Sequence, residues 1–260
     1  MIYGLYLSAA GVVANSYRQD VIANNLANAE TVGFKRDLPL FQQRLTEAQQ
    51  RRASARPGAW SDPILERIGG GTFVSPTVVD NSQGELEHTG TPLDVAIQGA
   101  GYFAVKGSDG GGPTRLTRNG RFTVDRDGYL ALSDETGHRV LGHDGQPVRV
   151  GLGTSVSVGQ DGTITQDRKA VGRIGLYDVP DPGRLTKQGG TLLAYPDPNA
   201  IKRVDGGLMH GESVERANVD PTIELTSLME TQRQLEANAN MIRYQDQTLD
   251  KLVNQVGKIG

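Results

Sequence analysis

Leu228, Leu235, Ile242, Leu249 and Val256 fall at strict seven-residue intervals through the last forty residues of the chain. Seven residues make about two turns of α-helix, so the five side chains form one narrow apolar seam. The companion position is mixed: Leu225, Gln232, Ala239, Asp246 and Val253. Asp220-Pro221 suits a helix start, an N-cap followed by a first-turn proline whose missing donor is an orphan there in any case. No capping box accompanies it, because Ile223 stands at the third helical position. A helix over 221–256 would be about 54 Å long at 1.5 Å per residue. That is longer than a small domain can cover. Gln232, Asn238, Asn240 and Gln245 surround the seam, which suits a coiled coil better than a broad core face.

The other end of the chain carries a stripe of its own. Ile2, Leu5, Ala9, Val12, Ser16, Ala23 and Leu26 follow a 3–4 spacing, with Gln19 as a polar break. Asn24, Asn25 and Asn28 crowd the end of this helix, and Gly33 lies just beyond as a stop. One reading lays each helix on a globular core. The simpler geometry brings the two ends together as an antiparallel coiled coil, with Leu5, Val12 and Leu26 facing Leu228, Leu235, Ile242, Leu249 and Val256. Burying a Leu or Ile contributes about 1.5–3 kcal/mol, yet a two-helix pair covers only one side of each helix. The apolar surface left over implies an assembly of further copies.

Between the ends, residues 34–90 read as an extended connector, Gln- and Arg-rich with Pro39, Pro57 and Pro63, reaching a Gly69-Gly70-Gly71 hinge. Thr72–Val79 is a strand, its Pro76 marking an edge. From 91 to 205 the period becomes two, in runs such as Leu93–Ile97, Tyr102–Val105, Arg121–Val124 and Ser155–Val158. Asp109-Gly110, Asn119-Gly120, Asp127-Gly128, Asp144-Gly145, Asp161-Gly162 and Asp205-Gly206 supply hairpin turns, and the 34 glycines fit that design. Residues 206–220 return the chain to the last helix. The fold class is therefore α+β: an N-terminal helical segment 1–33, an all-β domain at 91–205 projecting from the helix pair and a C-terminal helix 221–260.

Chemistry is hard to find in this pattern. Without cysteine there is no disulfide, thiolate metal site or cysteine nucleophile. His138 and His143 lie five apart in a hairpin region and face opposite sides, with no convergent carboxylate, so no metal site is expected. Asp125-x-Asp127-Gly128 lacks the further ligands of a calcium loop and reads as a turn. Gly110-Gly111-Gly112 lacks the lysine and the helix of a phosphate loop. Neither a catalytic set nor a cofactor is indicated. A net charge of -3 with no Lys/Arg run argues against nucleic acid, Arg51, Arg52 and Arg56 reading as a solvated linker. The apolar start has no basic region before it and no clean cleavage site, and no 18-residue apolar run follows. Neither a cleaved signal nor a membrane span is expected.

Asp20-Val21-Ile22-Ala23-Asn24-Asn25-Leu26-Ala27-Asn28 followed by Thr31-Val32-Gly33-Phe34-Lys35-Arg36 closely resembles the signature of bacterial flagellar rod and hook axial proteins. Glu215-Arg216-Ala217-Asn218-Val219-Asp220, running into the seam, resembles the other end of that family. Asn81-Ser82-Gln83-Gly84, Pro92–Ile97, Gly101-Tyr102-Phe103 and Thr117-Arg118-Asn119-Gly120 are similar to its central segments. Length and these motifs point to basal-body rod proteins of the proximal or distal kind. A long connector from Asp37 to Arg67 favours the distal kind, whereas Val140-Leu141-Gly142 with Gln146-Pro147-Val148 favours the proximal. Ala217-Asn218 and Glu30-Thr31 depart from the usual serines. The resemblance implies a structural subunit of the periplasmic rod, exported unfolded by the flagellar type III apparatus with its N-terminus uncleaved. It would then stack helically with copies of itself and with other rod and hook subunits to transmit torque. It also makes Asn24, Asn25, Leu26, Asn28, Gly33, Phe34 and Asn218 family-motif positions, and suggests Phe34-x-x-x-Leu38 or Phe41-x-x-x-Leu45 as a motif read at export. A hook or other axial component, or a β-rich carbohydrate-binding or hydrolase protein, is the alternative.

Overall fold

The computed structural model describes residues 2–45, 71–107, 111–134, 137–151, 156–204 and 206–256, with side chains of the terminal helices described from 4 to 254. Most of the expected connector, the Gly69-Gly70 part of its hinge, the Asp109-Gly110 turn and the side chain of Val256 lie outside the described residues. The chain divides into two compact units. The first comprises Met1–Leu26, Leu38–Thr77 and Pro221–Gly260, and the second comprises Ala27–Asp37 and Val78–Asp220.

Two helices dominate the first unit. Helix α1 spans Ile2–Ala27 and α2 spans Pro221–Val256. No proline interrupts either, and α2 opens on Pro221 as expected from its sequence. Within α2, Thr226, Thr231 and Thr248 return their hydroxyl protons to carbonyls four residues back. The helices touch: a methyl group built on Gly4 would lie 2.7 Å from Gln245 Nε2, and one on Gly11 2.8 Å from Asn238 Nδ2. The most deeply buried positions lie beside the stripes read from the sequence. On α1, Ala14, Val21, Ile22 and Asn25 are buried, while Leu5, Val12 and Leu26 are half-buried and Ala9, Ser16 and Ala23 exposed. Leu228, Leu235, Ile242 and Leu249 are half-buried on α2. Its buried companions are Glu224 and Thr231, whereas Leu225 and Val253 face solvent. Gly4 and Gly11 lie on the side of α1 that meets α2, where the lack of a Cβ admits close approach.

A two-stranded ribbon of β1 (Asp37–Gln43) and β2 (Thr72–Val79) leaves and re-enters the connector. Strand β2 matches its sequence expectation, and β1 lies inside the stretch read as an extended connector. Arg44 N–H donates to Gly71 O, and Tyr6 Oη accepts from the Arg44 guanidinium at 2.8 Å.

The second unit is β-rich throughout. Its largest sheet runs β14-β15-β6-β5-β9-β8-β7, with β13 pairing both β5 and β16. In chain order these are β5 (Tyr102–Lys106), β6 (Arg115–Thr117), β7 (Phe122–Val124), β8 (Leu130–Leu132), β9 (Arg139–Val140), β13 (Leu176–Asp178), β14 (Thr186–Lys187), β15 (Leu192–Ala194) and β16 (Lys202–Val204). Strands β10 (Val156–Val158), β11 (Thr163–Gln166) and β12 (Lys169–Arg173) form a separate antiparallel meander. Two short ladders close the base: β4 (Val95–Gln98) with β17 (Leu208–Gly211), and β3 (Leu86–His88) with β18 (Ser213–Glu215). The core is aliphatic, built on Val95, Ile97, Leu130, Leu132 and Ile164, with Phe103 and Phe122 meeting edge to face at 5.0 Å.

The turn reading needs one correction. Gly128, Gly145 and Gly162 do take positive φ in tight turns. Asn119-Gly120 does not make a hairpin: strands β6 and β7 on either side lie apart in the sheet order. Thr117 Oγ1 accepts from Asn119 N–H, and Asn119 Oδ1 from Arg121 N–H, so the segment is an Asx-type bend. Gly120 is small there for another reason, since a Cβ would overlap Val95 O.

Candidate functional site

The first motif of the chain ends in Lys35-Arg36 and the last begins at Glu215, and the fold brings Lys35 and Glu215 into contact. Glu215 closes β18, and its own carbonyl accepts from Gly33 N–H at 2.7 Å. Its carboxylate is completely buried and holds two cations, Lys35 Nζ at 2.6 Å and Arg118 Nη1 at 3.1 Å. Gly84 N–H adds a third donor at 2.9 Å. The cations are tied down in turn: Lys35 Nζ donates to Ser82 O and Arg118 Nη2 to Gly99 O. Arg118 also lies over the Tyr102 ring, 5.1 Å from its centroid, and Tyr102 Oη donates to Asn81 Oδ1. Burial pushes the Lys35 ammonium below its ordinary value, against the pull of Glu215. It also pushes the Tyr102 phenol up to about 12. A triad this dry is costly to separate, since each partner left alone would be an uncompensated buried charge.

Around the triad the segments entering and leaving the β unit are laced together. Asn218 Oδ1 accepts from Arg36 N–H at 2.7 Å, while its amide donates to Asp80 O, Ser82 O and Ser82 Oγ. Asn218 N–H reaches Phe34 O, and Arg216 N–H reaches Glu85 O. Phe34 is 1% exposed, packed with Ala29 and Val219 beneath Lys187, whose Nζ sits 3.6 Å from the ring centroid and pairs with Asp37. Burial lowers the Lys187 pKa as well. Asn28 terminates α1 locally, its carbonyl accepting from Thr31 N–H and its side chain from Thr31 Oγ1. Gly33 cannot be replaced cheaply: its φ is +69°, and a Cβ would lie 2.2 Å from Asn119 N.

Of the motif positions, the structure gathers Asn28, Gly33, Phe34 and Asn218 at this clasp. Asn24, Asn25 and Leu26 stay on α1, Asn25 buried and Asn24 exposed. Leu38 is half-buried, and Phe41 and Leu45 are exposed. The charged triad was not foreseen. Its signal in the sequence is that three separated motifs, Gly33-Phe34-Lys35, Thr117-Arg118-Asn119 and Glu215-Arg216, each carry a charge.

Several other polar groups of the β unit serve turns. A surface recess of about 400 Å³ is lined by His143, Asp144, Arg149 and Arg173 among others. Asp144 Oδ1 accepts from Gln146 N–H there, and Arg173 Nε donates to Asp161 O. Asp125 accepts from Asp127 N–H and Tyr129 N–H, with Arg139 across the turn on both Asp125 and Asp127. No cluster of His, Asp or Glu suited to a metal occurs among the described residues. No described helix is long and apolar enough to cross a membrane.

A β unit whose entering and leaving segments are clasped together, flanked in sequence by two long helices, defines a class of structural subunit. Three family models match in order: flagella basal body rod protein at residues 5–35, the flagellar hook protein FlgE/F/G D1 domain at 96–166, and flagellar basal body rod FlgEFG protein C-terminal at 210–256. Flagellar basal-body rod protein FlgF of Mesorhizobium japonicum is 33% identical over 97% of each chain. FlgF of Caulobacter vibrioides is 33% identical over 98% of each. FlgG of Bacillus subtilis is 31% identical over 98% of this chain and 99% of its own. The chain belongs to the flagellar basal-body rod protein family, and it is a structural component of the rod.

Proposed function

We propose that this chain polymerises helically with copies of itself and with adjoining rod and hook subunits to form the drive shaft that carries torque. In this reading α1 and α2 pair as an antiparallel coiled coil and make one stave of an inner tube, residues 1–33 and 221–260. The β-rich domain at 91–205 forms the outer layer, and 34–90 and 206–220 connect the two. Leu228, Leu235, Ile242, Leu249 and Val256 supply the apolar seam of α2, with Leu5, Val12 and Leu26 flanking it on α1. The subunit reaches the periplasm unfolded, through the flagellar type III apparatus and without a cleaved signal.

One observation supports this reading above the others. Both helices keep large apolar side chains in solvent: Val13 at 62%, Met229 at 50%, Met241 at 51%, Tyr244 at 66% and Val253 at 71% exposed. Monomeric proteins rarely carry such surface along a whole helix unless a partner covers it. Replacing Met229 and Tyr244 together by Glu in the full chain tests it. The β unit should keep its circular dichroism and melting temperature, while the variant disappears from isolated basal bodies and the cells stop swimming. Normal incorporation and normal motility would overturn the proposal.

A further inference from the structure

We infer that the two terminal helices are locked in one register by alternating polar and apolar layers, in which glycines of α1 receive amide side chains of α2. The inference rests on the helix pairing proposed above and specifies it. Gly4 faces Gln245 and Gly11 faces Asn238. Seven residues forward on α1 are matched by seven backward on α2, so position n faces position 249 − n. The same rule sets Arg18 opposite Thr231 and Asn25 opposite Glu224. Between these polar layers it places Leu7 with Ile242, Ala14 with Leu235 and Val21 with Leu228.

Burial follows the rule. Asn25, Thr231 and Glu224 are each 1% exposed and Ala14 and Val21 each 8%, whereas Val13, one residue round from Ala14, is 62% exposed. The layers alternate along α2 because the rows 224, 231, 238, 245 and 228, 235, 242, 249 occupy the two inward heptad positions. Residue volumes are matched as well: the absent side chains of Gly4 and Gly11 leave room for Gln245 and Asn238, and the long Arg18 meets the short Thr231. Sliding α2 by one heptad spoils this match. In one direction it crowds Arg18 against Asn238; in the other it leaves Gly11 facing Thr231 across an emptied layer. Polar residues at single seam positions specify register in coiled coils at a cost in affinity. Here they also take the inside of the pair, which leaves the apolar strip of Met229, Met241 and Tyr244 outward for neighbours.

The chain has no cysteine, so introduced pairs report the register directly. In the full-length, unpolymerised chain, Ala14→Cys with Leu235→Cys should oxidise to a disulfide within one molecule. Ala14→Cys with Ile242→Cys, one heptad out, should link at least tenfold less. Adding Gly4→Leu and Gly11→Leu to the first pair should cut its linkage at least tenfold, while adding Val13→Leu should leave it unchanged. Equal linkage of the two pairs, linkage indifferent to the glycine substitutions, covalent dimers, or no linkage in either pair would each overturn the register. Because the link is read before polymerisation, its failure leaves the basal-body incorporation assay to decide the assembly proposal on its own.

Discussion

Replacing Glu215 by Gln keeps the shape of the clasp and removes only its charge. The carboxylate has no exposed surface and serves Lys35, Arg118 and Gly84 N–H at once. A Gln carbonyl oxygen placed toward Lys35 and Gly84 turns the amide NH2 against Arg118, donor against donor. The opposite flip sets it against Lys35 and Gly84 instead. Either way two buried cations lose their counter-charge. Removing one member of a buried ion pair costs about 3–5 kcal/mol, which is a large share of the 5–15 kcal/mol typical of a folded domain. For a domain of this size that corresponds to a fall in melting temperature of roughly 6–20 °C. Differential scanning calorimetry, with urea unfolding followed by circular dichroism, measures it. Arg139→Ala is the control: its partners Asp125 and Asp127 lie nearer solvent, so the change should lower the melting temperature less than E215Q does. If E215Q melts within about 2 °C of the parent, or no lower than the control, the clasp is not what holds the β unit closed.

Gly33→Ala should destabilise the β unit by about 2 kcal/mol or more, through the positive φ and the close Asn119 backbone, read in the same urea titration. Tyr102 should resist ionisation to about pH 12 in an ultraviolet titration. Its folded pKa lies above the unfolded value of 10.0, so its contribution is fully present below pH 10 and is lost as the pH rises toward 12. That loss should amount to about 2–3 kcal/mol, and Tyr102→Phe should abolish this part of the alkaline decline. Phe34→Ala should cost about 3–5 kcal/mol because the ring is buried, whereas the exposed Phe41→Ala should change stability by under about 1 kcal/mol. If either phenylalanine is read during export, the double variant should accumulate inside the cell; normal secretion would dismiss the motif.

Local patterns in the sequence forecast local elements well. Asp220-Pro221 marked the start of α2, and the β-branched run Thr72–Val79 marked β2. Strand β1 was hidden because Asp37–Gln43 has connector composition and becomes a strand only beside β2. On α2, counting apolar residues favoured Leu225 and Val253 as companions of the seam. The most deeply buried residues there are instead Glu224 and Thr231, which no count of apolar residues selects. The clasp escaped for a related reason. Lys35, Arg118 and Glu215 share no period and no window, so only the fold shows that one carboxylate answers two cations. Asn119-Gly120 misled because hairpin chemistry and close packing favour the same small residue.

Lys35 and Glu215 are 180 residues apart, and that separation sets an order of events. Any process that delivers the chain from its N-terminus presents Lys35 early, then Arg118, and Glu215 only when nearly all of the β unit is out. Until that moment the buried site has no anion, and its two cations stay in water. Forming it closes a loop of 180 residues, a step whose entropic cost grows only slowly with loop length. Helix α2 begins six residues after Glu215, at Pro221, so completion of the β unit and arrival of the last helix nearly coincide. The triad therefore cannot close on an incomplete molecule.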